Sequence, residues 1–226
     1  MKKIINNLIL VFIIYPIAII LGIIFELLRS LKKIKVNNYK NIPHKQQLIV
    51  VSNHPSLIEP ILIPFLFFRS FIFNPFKIPR IVADKKNYYD PWYFKCIRQL
   101  LIIVDRKDKT KGIKTLKEMI ESLKKGKTII VFPEGGRTFK GTEFSYSREG
   151  NRIRKIKRGI SYLVKTGVPV LPIWIEIKSQ KNLGKLEAFW IGNWKKIKIN
   201  IGTIIAFEKN TNNIEEKIEK ELLNLS

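Results

Sequence analysis

A histidine and a carboxylate follow a short apolar run at residues 48–51. They are His54 and Glu59, five positions apart. A histidine just past a strand can act as a general base toward a hydroxyl near neutral pH, and a carboxylate can orient its imidazole and stabilise the charge that forms. On a straight helix the two side chains would point about 140° apart. A direct pair therefore needs a bend or a non-helical segment, which Pro55 and Pro60 favour.

The same carboxylate has a second interpretation. Ser56 and Glu59 have the spacing of a capping box, in which Glu59 would satisfy backbone amides at a helix start. One side chain can serve both roles, so the spacing leaves both open.

A glycine turn that ends in an arginine follows another apolar run. The segment 132–138 contains Glu134, Gly135, Gly136 and Arg137. Ligands of open α/β sheets gather at the carboxyl ends of strands, glycines permit a close backbone approach, and Arg137 offers a planar fork suited to phosphate. The competing interpretation is a turn with a surface Glu–Arg pair. Together the two motifs predict a transferase acting on a phosphorylated alcohol.

Composition narrows the class of partner. The chain has 226 residues, of which 46% are hydrophobic, and a formal net charge of +24. Such a charge favours a phospholipid surface, nucleic acid or an acidic carrier protein. No helix-turn-helix, zinc or aromatic-platform signature supports nucleic-acid binding, so we expect no nucleic-acid partner. The single cysteine, Cys96, excludes an internal disulfide and fits a reducing compartment.

The N-terminus favours a membrane among these partners. Residues 8–25 form an uncharged run of eighteen residues with basic residues on both sides. As a helix this run would extend about 27 Å, close to the hydrocarbon thickness of a bilayer. Pro16 should kink it. We weigh a single kinked span against a shallow insertion, bent at Pro16 into a helical hairpin with both ends on the cytoplasmic side, and favour the second; a buried core helix is a third alternative.

Strand-like runs alternate with helical periodicity along the rest of the chain. This pattern predicts an α/β fold with a mixed, largely parallel sheet flanked by helices. Besides a short strand within segment 34–47, strands are expected at residues 48–51, 81–83, 100–104, 128–132, 170–175, 186–191 and 197–205. The last two should form an antiparallel edge, and the prolines of segment 168–172 suit an edge strand or the wall of a site. Helices are expected at residues 57–68, 90–98, 111–124, 152–166 and 213–223.

A basic stretch opens the predicted helix at residues 152–166. A solvated helix face is the default explanation, and contact with anionic lipid headgroups is the alternative. Its six basic residues are Arg148, Arg152, Arg154, Lys155, Lys157 and Arg158.

Four blocks, in this order, resemble the glycerolipid acyltransferase family that includes 1-acylglycerol-3-phosphate acyltransferases. The first, Asn-His-x4-Asp in the family, is matched by Asn53, His54 and Glu59, and the second, an apolar pair with Asp-Arg, by Asp105 and Arg106. The others are segments 132–138 and 168–172. The chain departs from the family at three positions: Glu59 for aspartate, Gly136 for threonine and Asp84 where a lysine is common.

The resemblance implies a membrane-bound O-acyltransferase. His54 would deprotonate the hydroxyl of lysophosphatidic acid, the oxygen would attack the thioester of acyl-CoA or acyl carrier protein, and Glu59 would orient His54. The acceptor would be bound by Asn53, Arg106, Glu134, Gly135, Gly136 and Arg137. Neither a cofactor nor a metal is expected, and the active site should face the cytoplasm from a cell membrane.

Two alternatives stay open at this level. The acceptor could be another lysophospholipid, a lyso-ornithine lipid or a lipid A precursor. In a different class, the chain would be a basic protein that binds membranes without catalysis. In either case the expected division is an anchor at residues 1–33 and a domain at residues 34–226.

Overall fold

One sheet dominates the fold. The computed structural model describes residues 2–105, 110–177, 197–208 and 210–226. Within them the strands are β1 (Lys35–Asn37), β2 (Ile49–Ser52), β3 (Arg80–Asp84), β4 (Leu101–Val104), β5 (Ile129–Val131), β6 (Phe144–Tyr146), β7 (Arg152–Arg154), β8 (Val170–Ile177) and β9 (Ile197–Ile201). Seven strands pair in the order β1-β9-β8-β2-β5-β3-β4, and β6 pairs with β7 in a separate hairpin.

The sheet is mixed and largely parallel, as predicted. Only β8 and β9 pair in antiparallel orientation within it. The strand expected at residues 186–191, and with it the predicted antiparallel edge, lies outside the described residues. The edge-strand alternative for segment 168–172 is wrong, because β8 lies between β9 and β2. Pro172 precedes the first residue of the β8–β9 ladder, Ile173, so its missing N–H costs that ladder no hydrogen bond.

Helices cover both faces of this sheet. They are α1 (Lys2–Ile9), α2 (Tyr15–Ser30), α3 (Glu59–Leu66), α4 (Phe68–Phe71), α5 (Thr110–Lys124), α6 (Gly159–Val164) and α7 (Ile214–Asn224). Alternate residues of β2 divide between two cores: Val50 packs with α2 and α3, whereas Ile49 and Val51 pack with α5, α6 and α7. The period-two alternation of strand side chains thereby places α2 and α5 on opposite faces.

The N-terminal helix is continuous from Ile4 to Ser30. The chain therefore does not turn back at Pro16, and the hairpin version of the anchor is wrong. A π-helical turn at Leu10–Ile14 joins α1 to α2 directly before the proline. Such a turn locally relaxes the backbone ladder, which lets the chain accept a residue without an N–H.

The domain packs along this helix rather than only against its end. Leu10 and Ile14 are buried against α4, and Phe25 is buried against the core beneath α3. Gly22 allows the closest approach, since a Cβ there would lie 2.2 Å from the ring of Phe68. The opposite side of the helix leaves large apolar side chains exposed, Phe12 by 72%. By length and composition alone, this helix could cross a membrane.

The basic helix predicted at residues 152–166 is wrong over its first half. Residues Arg152–Arg154 form β7, which pairs with β6, and only Gly159–Val164 is helical. The backbone N–H of Arg154 donates to the carboxylate of Glu134, and that of Lys157 donates to the carbonyl of Pro133. These contacts with the 132–138 loop hold the segment extended.

Candidate active site

A cleft opens where the carboxyl ends of β2, β3, β4 and β5 meet. Its cavity volume is about 160 Å³. This position agrees with the general rule for ligand sites in open α/β sheets. The side chains and backbone that line it include His54, Tyr88, Gly136, Arg137, Lys140 and Arg154.

His54 and Glu59 are in direct contact beside this cleft. His54 Nδ1 lies 2.9 Å from Glu59 Oε2, and both residues are buried. The residues between them are not helical, and α3 begins at Glu59 itself, which is the local geometry that a five-residue pair requires. An ionised carboxylate only accepts hydrogen bonds, so with Glu59 ionised the donor in this contact is Nδ1, and in the neutral imidazole Nε2 is then the acceptor.

The capping-box interpretation of Glu59 is not what the structure has. Glu59 is the first residue of α3, and its Oε1 accepts a hydrogen bond from Ser56 Oγ at 2.5 Å. Ser56 Oγ in turn accepts from the backbone N–H of Ile58. The two carboxylate oxygens of Glu59 therefore contact the side chains of His54 and Ser56. Separately, Phe132 stacks on the imidazole of His54 at a ring-centroid distance of 4.5 Å.

Glu134 is fully buried and has protein partners on both oxygens. Oε1 accepts from the backbone N–H of His54 at 2.7 Å and from Thr138 Oγ1 at 2.8 Å. Oε2 accepts from the backbone N–H of Arg154 at 3.0 Å. Thr138 also donates its backbone N–H to the carbonyl of His54. This carboxylate joins the histidine segment, the glycine turn and β7, whereas its predicted contact with an acceptor stays a prediction.

Burial acts on the protonation of Glu134. It raises the pKa of this carboxyl above its ordinary value, and the hydrogen bonds from Arg154, Thr138 and His54 oppose that rise because they stabilise the ionised form. The pKa of Glu134 is raised overall, so the folded environment favours the neutral carboxyl over the ionised form.

The glycine turn brings backbone and cation to the cleft. Gly135 has φ +67°, the left-handed region that favours glycine. Gly136 and Arg137 line the cleft, and the guanidinium carbon of Arg137 lies 4.9 Å from the ring centroid of Phe139. No carboxylate within the described residues pairs with Arg137, so its fork is available for an anion. The predicted surface Glu–Arg pair is therefore wrong, because Glu134 is turned inward.

Asn53 is committed to the sheet. Its Nδ2 donates to the carbonyl of Ile175 at 2.9 Å, and its Oδ1 accepts from the N–H of the same residue at 2.7 Å. The amide thus ties the end of β2 to β8 and positions the residue next to it, His54. Its predicted contact with an acceptor stays a prediction.

The second acidic–basic block is only partly described. Asp105 pairs with Lys111 at 3.2 Å, at the carboxyl end of β4. Arg106 lies outside the described residues. Asp84, which stands where the family commonly has lysine, lines the cleft and accepts from Asn87 at 2.8 Å.

Three cleft residues were not predicted from sequence. Tyr88 is buried and donates its hydroxyl to the carbonyl of Leu57 at 2.7 Å, and burial raises its pKa, which keeps the phenol neutral. Lys140 and Arg154 add positive charge beside Arg137. The cluster of basic residues was a visible signal for Arg154; no comparable signal marked Tyr88.

An apolar groove continues from the cleft. It has a cavity volume of about 620 Å³ and lies between α2, α3 and the start of β4. Pro60 and Tyr88 line both cavities, so the polar cleft and the apolar groove meet beside them. Within the described residues, no group of three or more His, Cys, Asp or Glu side chains could hold a metal ion.

Comparison with known proteins agrees with this geometry. A family model described as acyltransferase matches residues 33–176. The chain is 25% identical over 161 residues to a probable 1-acyl-sn-glycerol-3-phosphate acyltransferase of Mycoplasma pneumoniae, covering 69% of this chain and 55% of that protein. It is 32% identical over 141 residues to the 1-acyl-sn-glycerol-3-phosphate acyltransferase of Pseudomonas aeruginosa, covering 62% and 48%. The chain thus spans about half the length of the curated relatives it matches.

A solved structure shares the fold. The crystal structure of PlsC, the 1-acyl-sn-glycerophosphate acyltransferase of Thermotoga maritima, matches 99% of this chain and 95% of its own, with a TM-score of 0.57 and 22% identity. The family model covers more than half of the chain and includes the His54 and Glu134 motifs. This chain therefore belongs to the acyltransferase family.

Proposed function

We propose that the protein transfers a fatty acyl group from a thioester to the free hydroxyl of lysophosphatidic acid, giving phosphatidic acid. The observation that carries the proposal is the contact of His54 with Glu59 at a cleft that is basic on one side and continues into an apolar groove on the other. A lysophospholipid has the matching parts: a phosphate, a hydroxyl and an acyl chain. The relatives named as 1-acyl-sn-glycerol-3-phosphate acyltransferases support this acceptor.

In this proposal His54 is the general base. Nε2 takes the proton of the acceptor hydroxyl as its oxygen attacks the thioester carbonyl carbon, while Glu59 stabilises the imidazolium that forms. The tetrahedral intermediate then collapses: the carbon–sulfur bond breaks, and the thiolate takes the proton from the imidazolium. The acyl group moves directly from thioester to alcohol, without a covalent acyl-enzyme.

Arg137 would hold the acceptor phosphate, with Lys140 and Arg154 adding positive charge around it. A guanidinium can bind two phosphate oxygens through its parallel N–H groups, which fixes orientation as well as adding affinity. Arg106 is proposed to join this group on the strength of its motif alone. Tyr88 and Pro60 would lie where the acyl chain enters the apolar groove.

The proposed location is the cytoplasmic surface of a membrane, with residues 1–33 as the anchor. The domain flanks the N-terminal helix from Leu10 to Phe25, and α2 carries exposed apolar side chains on its other side. If the helix spanned the bilayer, the domain packed along it would also enter the hydrocarbon region. Its polar surface would then be buried in lipid, which is energetically costly. A helix lying in one leaflet beside the domain avoids that cost and keeps the groove next to lipid.

The proposal is tested with purified protein, labelled acyl-CoA or acyl carrier protein, and lysophosphatidic acid, with mass spectrometry of the lipid products. Wild type should form phosphatidic acid, and His54→Ala should lower kcat by roughly 10²- to 10⁴-fold, the usual range for a general base. His44→Ala is the matched control, because His44 is half-buried outside the cleft.

Folding and vesicle binding of His54→Ala should match those of wild type. Equal activity of His54→Ala and wild type would overturn the assigned base. Product with another lysolipid, but none with lysophosphatidic acid, would overturn the assigned acceptor while keeping the reaction class.

A further inference from the structure

The β6–β7 hairpin and the segments beside it form a strongly basic part of the described surface next to the cleft. Residues 137–158 contain eight basic residues and two acidic ones, Glu143 and Glu149. Five of the eight, on or next to the hairpin, are exposed outside the cleft, and none of these five pairs with a carboxylate among the described residues. These five, called the hairpin cations below, are Arg148, Arg152, Lys155, Lys157 and Arg158.

The choice of cation in this region is unusual for the chain. The sequence has 32 lysines and only ten arginines, yet five of those arginines lie within residues 137–158. Two of the five line the cleft, and the other three are hairpin cations. Arginine binds carboxylates through a rigid fork and is enriched at protein interfaces, where lysine is depleted. Solvation alone would be met by lysine, which the chain uses elsewhere. The concentration of arginine indicates recognition of anionic groups.

The hairpin faces away from the apolar helix. Ile153 of β7 is buried in the core that contains α5, α6 and α7, whereas α2 packs on the opposite face of the sheet. An anionic membrane contacting the exposed side of α2 would therefore lie on the other side of the domain. This placement favours a soluble anionic partner for the hairpin cations over lipid headgroups.

We propose that the β6–β7 hairpin is the docking surface for an acidic acyl carrier protein that brings the thioester to the cleft. This inference rests on the proposed acyl transfer and identifies the protein partner of that reaction. The hairpin cations are exposed and do not line the cleft, which suits a protein partner, whereas small molecules are usually held in concave pockets. The aromatic ring of Tyr146, 61% exposed, adds apolar contact area among them.

The hairpin is joined directly to the reacting histidine. The N–H of Arg154 and the N–H of His54 donate to opposite oxygens of the same buried carboxylate, Glu134. A carrier protein docked on the hairpin would thus be held in fixed register with His54, while the acceptor lipid reaches the cleft along the apolar groove from the opposite face. The two substrates would approach from two sides and meet at one edge of the sheet.

The test uses full-length protein and fluorescently labelled holo-acyl carrier protein in a direct binding measurement at low and raised salt. The hairpin variant is Arg148→Glu, Arg152→Glu and Lys155→Glu together. Its matched control is Lys114→Glu, Lys117→Glu and Lys124→Glu, an equal charge change on exposed positions of α5. Wild type and control should bind with a Kd that rises with salt, and the hairpin variant should bind at least tenfold more weakly, because interface charges govern steered association.

Kinetics supply the second readout. With acyl carrier protein as donor, kcat/KM of the hairpin variant should fall roughly tenfold or more, whereas acyl-CoA should support a rate within about threefold of wild type. Equal losses with both donors would assign the cations to CoA phosphates or the acceptor and overturn the proposal. Loss of binding to anionic vesicles with unchanged carrier binding would assign them to lipid and would also overturn it.

The binding measurement separates this inference from the proposed reaction. If neither donor yields phosphatidic acid, the assigned acceptor fails, while the binding difference between hairpin variant and control still decides the docking surface. Absence of carrier binding by wild type overturns the docking surface even if acyl-CoA is a good donor.

Discussion

Two buried carboxylates contact the same histidine in different ways. Glu59 contacts the imidazole of His54, whereas Glu134 accepts the backbone N–H of that residue. The first can respond to a charge that forms on the ring during reaction. The second fixes where the ring stands before any reaction begins. The two carboxylates should therefore give different kinetic and stability signatures when replaced.

Glu59→Gln should lower kcat by roughly 10- to 100-fold with a small change in KM, because a neutral amide does not stabilise an imidazolium in a buried site. The side-chain NH₂ of the new glutamine would also face another donor, either the ring Nδ1–H of His54 or the hydroxyl of Ser56. Steady-state kinetics with saturating donor measure the effect. Glu118→Gln, which loses a half-exposed pair with Arg80 away from the cleft, is the control. Full activity of Glu59→Gln would show that Glu59 is only structural.

Glu134 should make stability depend on pH. Because burial raises its pKa in the folded state, the folded protein binds this proton more tightly than the unfolded chain does. Its contribution to the free energy of unfolding is therefore complete below the ordinary carboxyl pKa and is lost as pH rises through the raised value. The difference in unfolding free energy between wild type and Glu134→Gln should shift against wild type as pH rises above the ordinary carboxyl pKa. Chemical unfolding in detergent over this range measures it; a flat difference would contradict the assigned direction.

The sequence allowed part of the site to be predicted. The contact of His54 with Glu59 depends on local spacing and on prolines that prevent a regular helix, and both are readable from residues close in the chain. The partners of Glu134 are not, because Arg154 lies twenty residues further on, in a strand whose pairing only the fold decides. A carboxylate next to glycines and an arginine was therefore interpreted as a ligand contact, although its hydrogen bonds go to the protein.

The wrong prediction of a helix from residue 152 has the same origin, because that segment is also shaped by contacts with residues distant in the chain. Apolar residues at 153, 156, 160 and 163 fit the spacing of one helical face, which is compatible with the helix predicted at residues 152–166. In the structure, Ile153 is buried from a strand, Ile156 from a connection and Ile160 from α6, all in one core. Strands of the sheet were more predictable, because a continuous apolar run buried on both faces has few other uses.

Gly22 should control how α2 fits the domain. A methyl group there would lie 2.2 Å from the ring of Phe68, so Gly22→Ala must displace either the helix or that ring. We expect a destabilisation of about 1–3 kcal/mol, typical of overpacking, and lower activity because one wall of the apolar groove moves. Thermal unfolding in detergent and the acyl-transfer assay measure the two effects.

The control for Gly22 is another helical glycine. Gly112 in α5 has no atom within 4 Å of an added Cβ. Gly112→Ala should stabilise the protein by about 0.5–1 kcal/mol, the usual gain from alanine within a helix, and leave activity unchanged. Similar effects of both substitutions would mean that Gly22 acts through helix propensity and not through its contact with Phe68.

The whole molecule has chemically distinct faces. One carries the exposed apolar side of the N-terminal helix, and the opposite one carries α5, α6 and α7. The net charge of +24 is thus combined with a one-sided apolar surface. In the proposed membrane binding, a long-range field would bring the protein to an anionic bilayer, and the apolar side would determine which face contacts it.

Phe12→Ser with Ile20→Ser should lower partition into anionic vesicles at least roughly tenfold, since each exposed side chain loses its gain on burial in lipid. Ile113→Ser with Tyr162→Ser removes two comparably exposed side chains from the other face and should change partition little. Co-sedimentation at raised salt measures the apolar part, because salt screens the electrostatic part. Equal losses for the two pairs would contradict a single membrane-facing side.

The side-chain amide of Asn53 limits how early in synthesis the site around His54 can form. It closes on Ile175, 122 residues later in the chain, whereas His54 and Glu59 are separated by only five. Contacts this distant must first overcome the entropy of closing a long loop. During synthesis the histidine and its carboxylate leave the ribosome early, but their anchor arrives only once residue 175 has been added. A nascent chain is therefore unable to hold the histidine in its working position until most of the sheet has been made.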